Sequence, residues 1–168
     1  MEYWYTESMK SILLKEAISI EIDSELPLAL KTVLQQGFRI EEECILFNFT
    51  EYYGSGSLEY PNAKNDYELF LNSIPIDFSL YGCSDNQCLK AGLQFCKELF
   101  ELLAISFKFE FRVVLEFESQ ENWSNASCQV SFHKIRMEID KVFWPHLQTL
   151  LEGETALILQ YHPASEKQ

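Results

Sequence analysis

The sequence predicts an α+β fold, a single domain built on a mainly antiparallel sheet of four or more strands with helices packed on one face. Three observations carry this. Residues 107–118, FKFEFRVVLEFE, place Phe107, Phe109, Phe111, Val113, Leu115 and Phe117 at odd positions and Lys108, Glu110, Arg112, Glu116 and Glu118 at even ones, so that Val114 alone breaks the alternation. A period of two is a β-strand with one apolar and one charged face, and such a strand belongs to a sheet covered on one side and wet on the other. Residues 86–105, just before it, repeat Leu89, Leu93, Cys96, Leu99, Phe100 and Leu103 at helical spacing, with Lys90, Gln94, Lys97, Glu98 and Glu101 as the wet side. A helix with so wide an apolar stripe is the natural cover for the strand. Further strand patterns follow at 128–139 and 155–161.

In chain order, Met9, Ile12, Leu13 and Ala17 predict a helix over 6–17, and Ile18, Ile20 and Ile22 alternating with polar residues predict a short strand. Ser24 can cap a second helix that has Pro27 near its start and Gly37 just past its end. Residues 38–50 read as one strand, 51–66 as a turn-rich stretch with a short strand at 58–60, and 76–80 as a strand with Pro75 at its first residue. Ser84 and Gln87 form a capping box for the long helix. In 128–139 the apolar positions are even at Val130 and Phe132 but odd at Ile135, Met137 and Ile139, which predicts a β-bulge at His133-Lys134. Asp140 caps a last helix over 141–151 with Pro145 in its first turns, TALILQY at 155–161 is an interior strand, and 162–168 is a frayed tail.

The 168 residues carry 26 acids against 13 Lys and Arg, a net charge of −13. That excess repels nucleic acid and anionic membranes and attracts basic partners. No stretch is long and apolar enough for a membrane span, and the first residues lack the pattern of a secretory signal. A cytoplasmic protein with reduced thiols is expected, since five cysteines spread along the chain form no disulfide framework.

No motif for catalysis or a cofactor is present. Cys83 and Cys88 lack the second pair that a zinc site needs, and Cys88 and Cys96 lie on the apolar stripe as small hydrophobes. His133, His146 and His162 have no nucleophile signature in their flanks, and Gly54-Ser55-Gly56 lacks the lysine and helix start of a phosphate loop. A non-catalytic protein without metal or cofactor is the expectation.

The charge map is more informative. Residues 40–80 hold eight acids and one base, a net −7 that is over half of the whole excess. Glu41, Glu42, Glu43, Glu51, Glu59, Asp66 and Glu68 are interleaved there with Tyr52, Tyr53, Tyr60 and Tyr67. Tyrosine supplies contact area with few rotors and carboxylates steer association, so these eleven residues are the candidate partner-binding set.

A small acidic α+β chain with this acid- and tyrosine-rich stretch over 41–68 and no catalytic signature resembles the bacterial immunity proteins of contact-dependent and other polymorphic toxin systems. The resemblance implies a tight complex with a cognate basic toxin domain, often a nuclease, whose active site is blocked, and a monomer or weak homodimer when free. Two other classes stay open, a small enzyme with an unrecognised acid/base pair and an adaptor that binds a peptide or small ligand. A deep pocket with shifted titratable groups would favour the first, an exposed apolar groove the second.

Overall fold

The computed structural model describes residues 2–51, 63–77, 84–119 and 126–163. Among them the chain forms a five-stranded antiparallel sheet, a separate two-stranded hairpin and five helices. In chain order these are β1 (Glu2–Tyr5), α1 (Glu7–Lys15), α2 (Leu28–Gln35), β2 (Phe38–Glu41), β3 (Cys44–Phe47), α3 (Ala63–Leu71), β4 (Ile74–Asp77), α4 (Asp85–Ser106), β5 (Phe111–Glu118), β6 (Ser127–Lys134), α5 (Met137–Leu151) and β7 (Ala156–Tyr161). No described helix is long and apolar enough to cross a membrane.

The alternating strand is the centre of the sheet. The order is β1-β7-β5-β6-β4, with β5 pairing to β6 from Phe111 opposite Lys134 to Glu118 opposite Ser127, and to β7 from Phe111 opposite Tyr161 to Glu116 opposite Ala156. Its odd residues Phe111, Val113, Leu115 and Phe117 enter the main core with Cys128, Val130 and Phe132 of β6 and Leu157 and Leu159 of β7. The long helix α4 covers them through Leu89, Leu93, Phe95, Cys96, Leu99 and Leu103, and α1 and α2 extend the layer. Its start carries the expected capping box, with both Ser84–Gln87 bonds formed. Helix and sheet approach closely at Gly92, where a Cβ would stand 2.8 Å from Cys128 Sγ and 2.9 Å from Leu115 Cδ1.

The even face of β5 is drier than its charges suggest. Val114 packs with Phe143, Leu147 and Leu151 of α5 and with Ala156 and Ile158 of β7, making a second, smaller core. Arg112, expected in water, is 1% exposed and donates to both carboxylate oxygens of Asp140. His133, across the ladder from Arg112, is fully buried with its ring 5.0 Å from Phe143. The break in the pattern at Val114 is the trace of this second layer.

Other expectations change as follows. No bulge exists at His133-Lys134, because the ladder keeps one register through both residues. The parity changes instead because β6 ends at Lys134 and α5 starts at Met137, so Ile135 and Met137 belong to no strand. That start puts Asp140 inside the helix, where it serves Arg112, and makes Pro145 an interior proline. The stretch 18–22 pairs with no strand. It runs irregularly, its isoleucines turned to the core and its backbone fastened by α4, through Lys97 Nζ donating to the Ile22 carbonyl at 3.0 Å and Gln94 Oε1 accepting from Ser24 N–H at 3.1 Å. Gln94 is therefore buried and not on a wet side, and Ser24 is not a helix cap. Residues 107–110 precede the strand, and 38–50 are two strands. The edge strand β1 was not visible as a pattern in EYWY. His162 is tied down at 2.7 Å to both Glu110 and Gln160, where a frayed tail was expected. The predicted strand at 58–60, most of that at 76–80 and residues 164–168 lie outside the described residues.

Candidate functional site

The acidic stretch begins on the hairpin. Helix α2 ends at Gln35, Gly37 with a φ of +69° turns the chain back, and β2 then pairs with β3 from Phe38 opposite Phe47 to Glu41 opposite Cys44. Only Glu42 and Glu43 remain for the turn, with φ of 45° and 71°. A two-residue turn with both φ positive suits the twist of a hairpin but normally takes Asn-Gly. Two glutamates in this left-handed region cost roughly 1 kcal/mol or more each. Both are exposed. The Glu43 carboxylate pairs with Lys64 of α3 at 2.5 Å, and this lysine holds its pKa below the ordinary range. Behind the tip, Arg39 pairs with Glu41 at 2.9 Å and donates to the carbonyls of Phe47 and Thr50, each at 2.6 Å.

The hairpin is fixed to the body at a buried polar joint. All four residues of β3 are buried. On its edge away from β2 it meets α3 in place of a strand. Glu68 Oε1 accepts from Ile45 N–H at 2.7 Å, and Asn72 accepts from Phe47 N–H at 3.2 Å while donating to the Ile45 carbonyl at 2.7 Å. The same side chains reach the end of β6, Glu68 Oε2 accepting from Lys134 N–H at 2.9 Å and Asn72 donating to the Phe132 carbonyl at 3.2 Å. Two side chains thus do what a ladder would do between β3 and β6. Arg136 closes the joint, donating to both Glu68 oxygens, to Asn65 Oδ1 and, at 2.9 Å, to the Glu43 carbonyl at the hairpin tip. Burial pushes the Glu68 carboxyl up, opposed by Arg136 and the two backbone N–H groups. On the core side, Phe47 and Phe38 pack edge-on against Phe132 at 5.1 and 5.6 Å.

Of the eleven candidate residues, the structure brings Glu41, Glu42, Glu43, Asp66, Tyr67 and Glu68 together on the hairpin and α3, with Glu51 exposed just after the hairpin. Asp66 and Tyr67 are half-buried. Glu68 is a correction. It is 0% exposed and its charge is consumed by Arg136, so it holds the hairpin and offers a partner nothing. Tyr52, Tyr53, Glu59 and Tyr60 lie outside the described residues. Sequence reasoning missed Asn65, Asn72 and Arg136. The only available signal was chemical, since a buried acid on a helix needs a cation.

A family model matches residues 5–154, from the end of β1 to beyond α5. The chain belongs to the uncharacterized protein PM0498 family. The hairpin, α3 and Arg136 all fall within the matched segment. No curated protein and no solved structure matches the chain.

The histidines do not assemble a nucleophilic site in the described region. His133 is buried and its ring nitrogens have no hydrogen-bond partner, His146 is exposed on α5, and His162 binds Glu110 and Gln160. Cys88 faces Cys128, with the sulfurs 3.7 Å apart in the core. Burial pushes the Cys96 thiol far up, away from the thiolate a nucleophile needs. Among the described residues no three His, Cys, Asp or Glu side chains are grouped to hold a metal ion. What the hairpin region offers is a preset acidic surface on a rigid support.

Proposed function

We propose that this protein is a non-catalytic immunity protein, which neutralises a cognate basic toxin domain by covering its active site with the acidic hairpin and the residues that follow it. One observation carries the reading. Two exposed glutamates occupy a strained turn that glycine or asparagine would fill at less cost, and a buried ion pair clamps that turn to the sheet. Strain held in place by its surroundings is characteristic of functional positions. The −7 charge of residues 40–80 supports the same reading through the steering of a basic partner. The cytoplasm is the compartment in which such an inhibitor acts. The test is a titration of the purified protein against the toxin domain encoded beside it. A one-to-one complex that abolishes toxin activity is expected, and no binding would overturn the proposal.

A second reading, an adaptor for a peptide or small ligand, has its own observation. Ile20, Leu93, Phe100, Leu157 and Leu159 line an apolar cavity of about 440 Å³ between the 18–22 segment, α4 and β7. That volume is in the range of ligand sites. Saturable uptake of a fluorescent apolar dye, lost on Leu159→Trp, would favour it.

A further inference from the structure

The second face of the sheet holds a polar cavity that neither the acidic hairpin nor the cores explain. It has a volume of about 290 Å³, and Glu2, Trp4, Arg112, Asp140, Trp144 and Gln160 are among the residues around it. At this size it suits one side-chain-sized group and is too small for a cofactor.

Its charge can be worked out from the contacts. The Arg112 guanidinium, almost fully buried, donates to Asp140 Oδ1 at 2.5 Å and Oδ2 at 2.9 Å, and its Nε donates to Gln160 Oε1 at 2.7 Å. The indole of Trp144 lies 4.1 Å from its central carbon. The cation is thus neutralised by one carboxylate and covered by one ring. An anion could reach it only by displacing Asp140. Glu2 then supplies a second carboxylate at the rim, its side chain 75% exposed and its Oε2 3.5 Å from His162 Nε2. Trp4, edge-on to Trp144 at 5.9 Å, adds a second aromatic wall. Asp140 is spent on Arg112, so the carboxylate left over at the cavity mouth is Glu2, inside a chain of net charge −13. Carboxylates combined with aromatic faces are the chemistry that recognises guanidinium and ammonium groups.

We propose that this cavity binds a single guanidinium or alkylammonium group, which lies against Trp4 and takes Glu2 as its counter-ion. The inference does not depend on the toxin-neutralising reading. The full chain is titrated with N-acetyl-arginine amide at fixed ionic strength, following indole emission and confirming by calorimetry, with N-acetyl-citrulline amide as the neutral isostere and sodium phosphate as the anionic probe. Saturable binding of the arginine probe is expected, at least about tenfold tighter than citrulline, as befits a charge-assisted hydrogen bond. Glu2→Gln should weaken it about fivefold or more at an unchanged melting temperature, because Glu2 is exposed. Asp140→Asn would disturb Arg112 and the fold, so it is not the deciding variant. A capped Gly-Arg-Gly peptide that binds as well as the amide identifies a polypeptide side chain as the source of the cation. Binding of putrescine but not of the peptide identifies a small metabolite. Equal binding of arginine and citrulline probes, saturation by phosphate, or no effect of Glu2→Gln would overturn the proposal.

Discussion

Glu68 of α3 and Arg136, just ahead of α5, meet at 2.9 Å with their side chains 0% and 12% exposed, and between them they tie β3, the end of β6 and the hairpin tip to one point. A buried ion pair gains little net stability over an apolar pair, but removing one partner strands the other's charge. Glu68→Ala should therefore cost about 3–5 kcal/mol, because Arg136 and the N–H groups of Ile45 and Lys134 lose their acceptor together. Glu42→Ala, at the exposed tip, should stay within about 0.5 kcal/mol. Urea midpoints measure both. Similar midpoints would mean that the joint does not hold the hairpin.

His133 makes stability depend on pH. Burial, with Arg112 and Arg136 adding to it, holds its pKa well below the ordinary 6.5. Between that depressed value and 6.5 the unfolded chain binds a proton that the folded chain refuses, so stability rises with pH across this window and is lost as pH falls from about 6.5. The slope approaches about 1.4 kcal/mol per pH unit for one such group. His133→Leu should remove this component and the unpartnered ring nitrogens, so its advantage over the parent should grow on going from about pH 7.5 to 5.5. Parallel pH profiles of the unfolding midpoint for the two proteins would contradict this.

Gly92→Ala poses two opposed effects. Alanine in a helix interior gains about 1 kcal/mol over glycine. Its Cβ would meet Cys128 Sγ at 2.8 Å and Leu115 Cδ1 at 2.9 Å, both in the packed core. Overpacking of this kind costs about 1–3 kcal/mol, so net destabilisation is expected. Cys128→Ala in the same chain should restore part of the loss. A Gly92→Ala variant more stable than the parent would mean that α4 rides further from the sheet.

The central strand, the long helix with its capping box and the return of β6 were legible because periodicity and capping are local properties. The errors have non-local causes. Arg112 reads as a solvent residue until Asp140, 28 positions later, is folded over it. The isoleucines of 18–22 carry a strand's alternation, yet the Ile18 N–H bonds the Leu13 carbonyl and the Ile22 carbonyl accepts from Lys97 of α4, in place of a strand. The hairpin reads as one strand because Glu42-Glu43 is an improbable turn by composition, and its φ values are tolerated only with the tertiary clamp behind it. In the candidate site, charge alone could locate the acidic stretch, but it could not separate Glu68, which is consumed inside the fold, from Glu42 and Glu43 at the tip.

The hairpin tip yields the sharpest functional prediction. If its strain is retained for binding, relieving it should stabilise the protein and weaken the complex. Glu43→Gly places the residue a two-residue turn prefers at a φ of 71°, and should raise stability by about 1 kcal/mol, less whatever the exposed pair with Lys64 contributes. Replacing Glu42 and Glu43 by Lys should slow association with the basic toxin and flatten its salt dependence, because screening and charge reversal act on the diffusional encounter. Tyr52→Ala and Tyr53→Ala should act through dissociation, costing about 2 kcal/mol of affinity where either is a hot spot. Stopped-flow association and surface-binding dissociation rates, taken at two salt concentrations with the fold of each variant checked by melting, separate these effects. A Glu43→Gly variant that is both more stable and an equally fast binder would detach the strain from the function. Unchanged rates in the charge reversal would move the interface away from the hairpin.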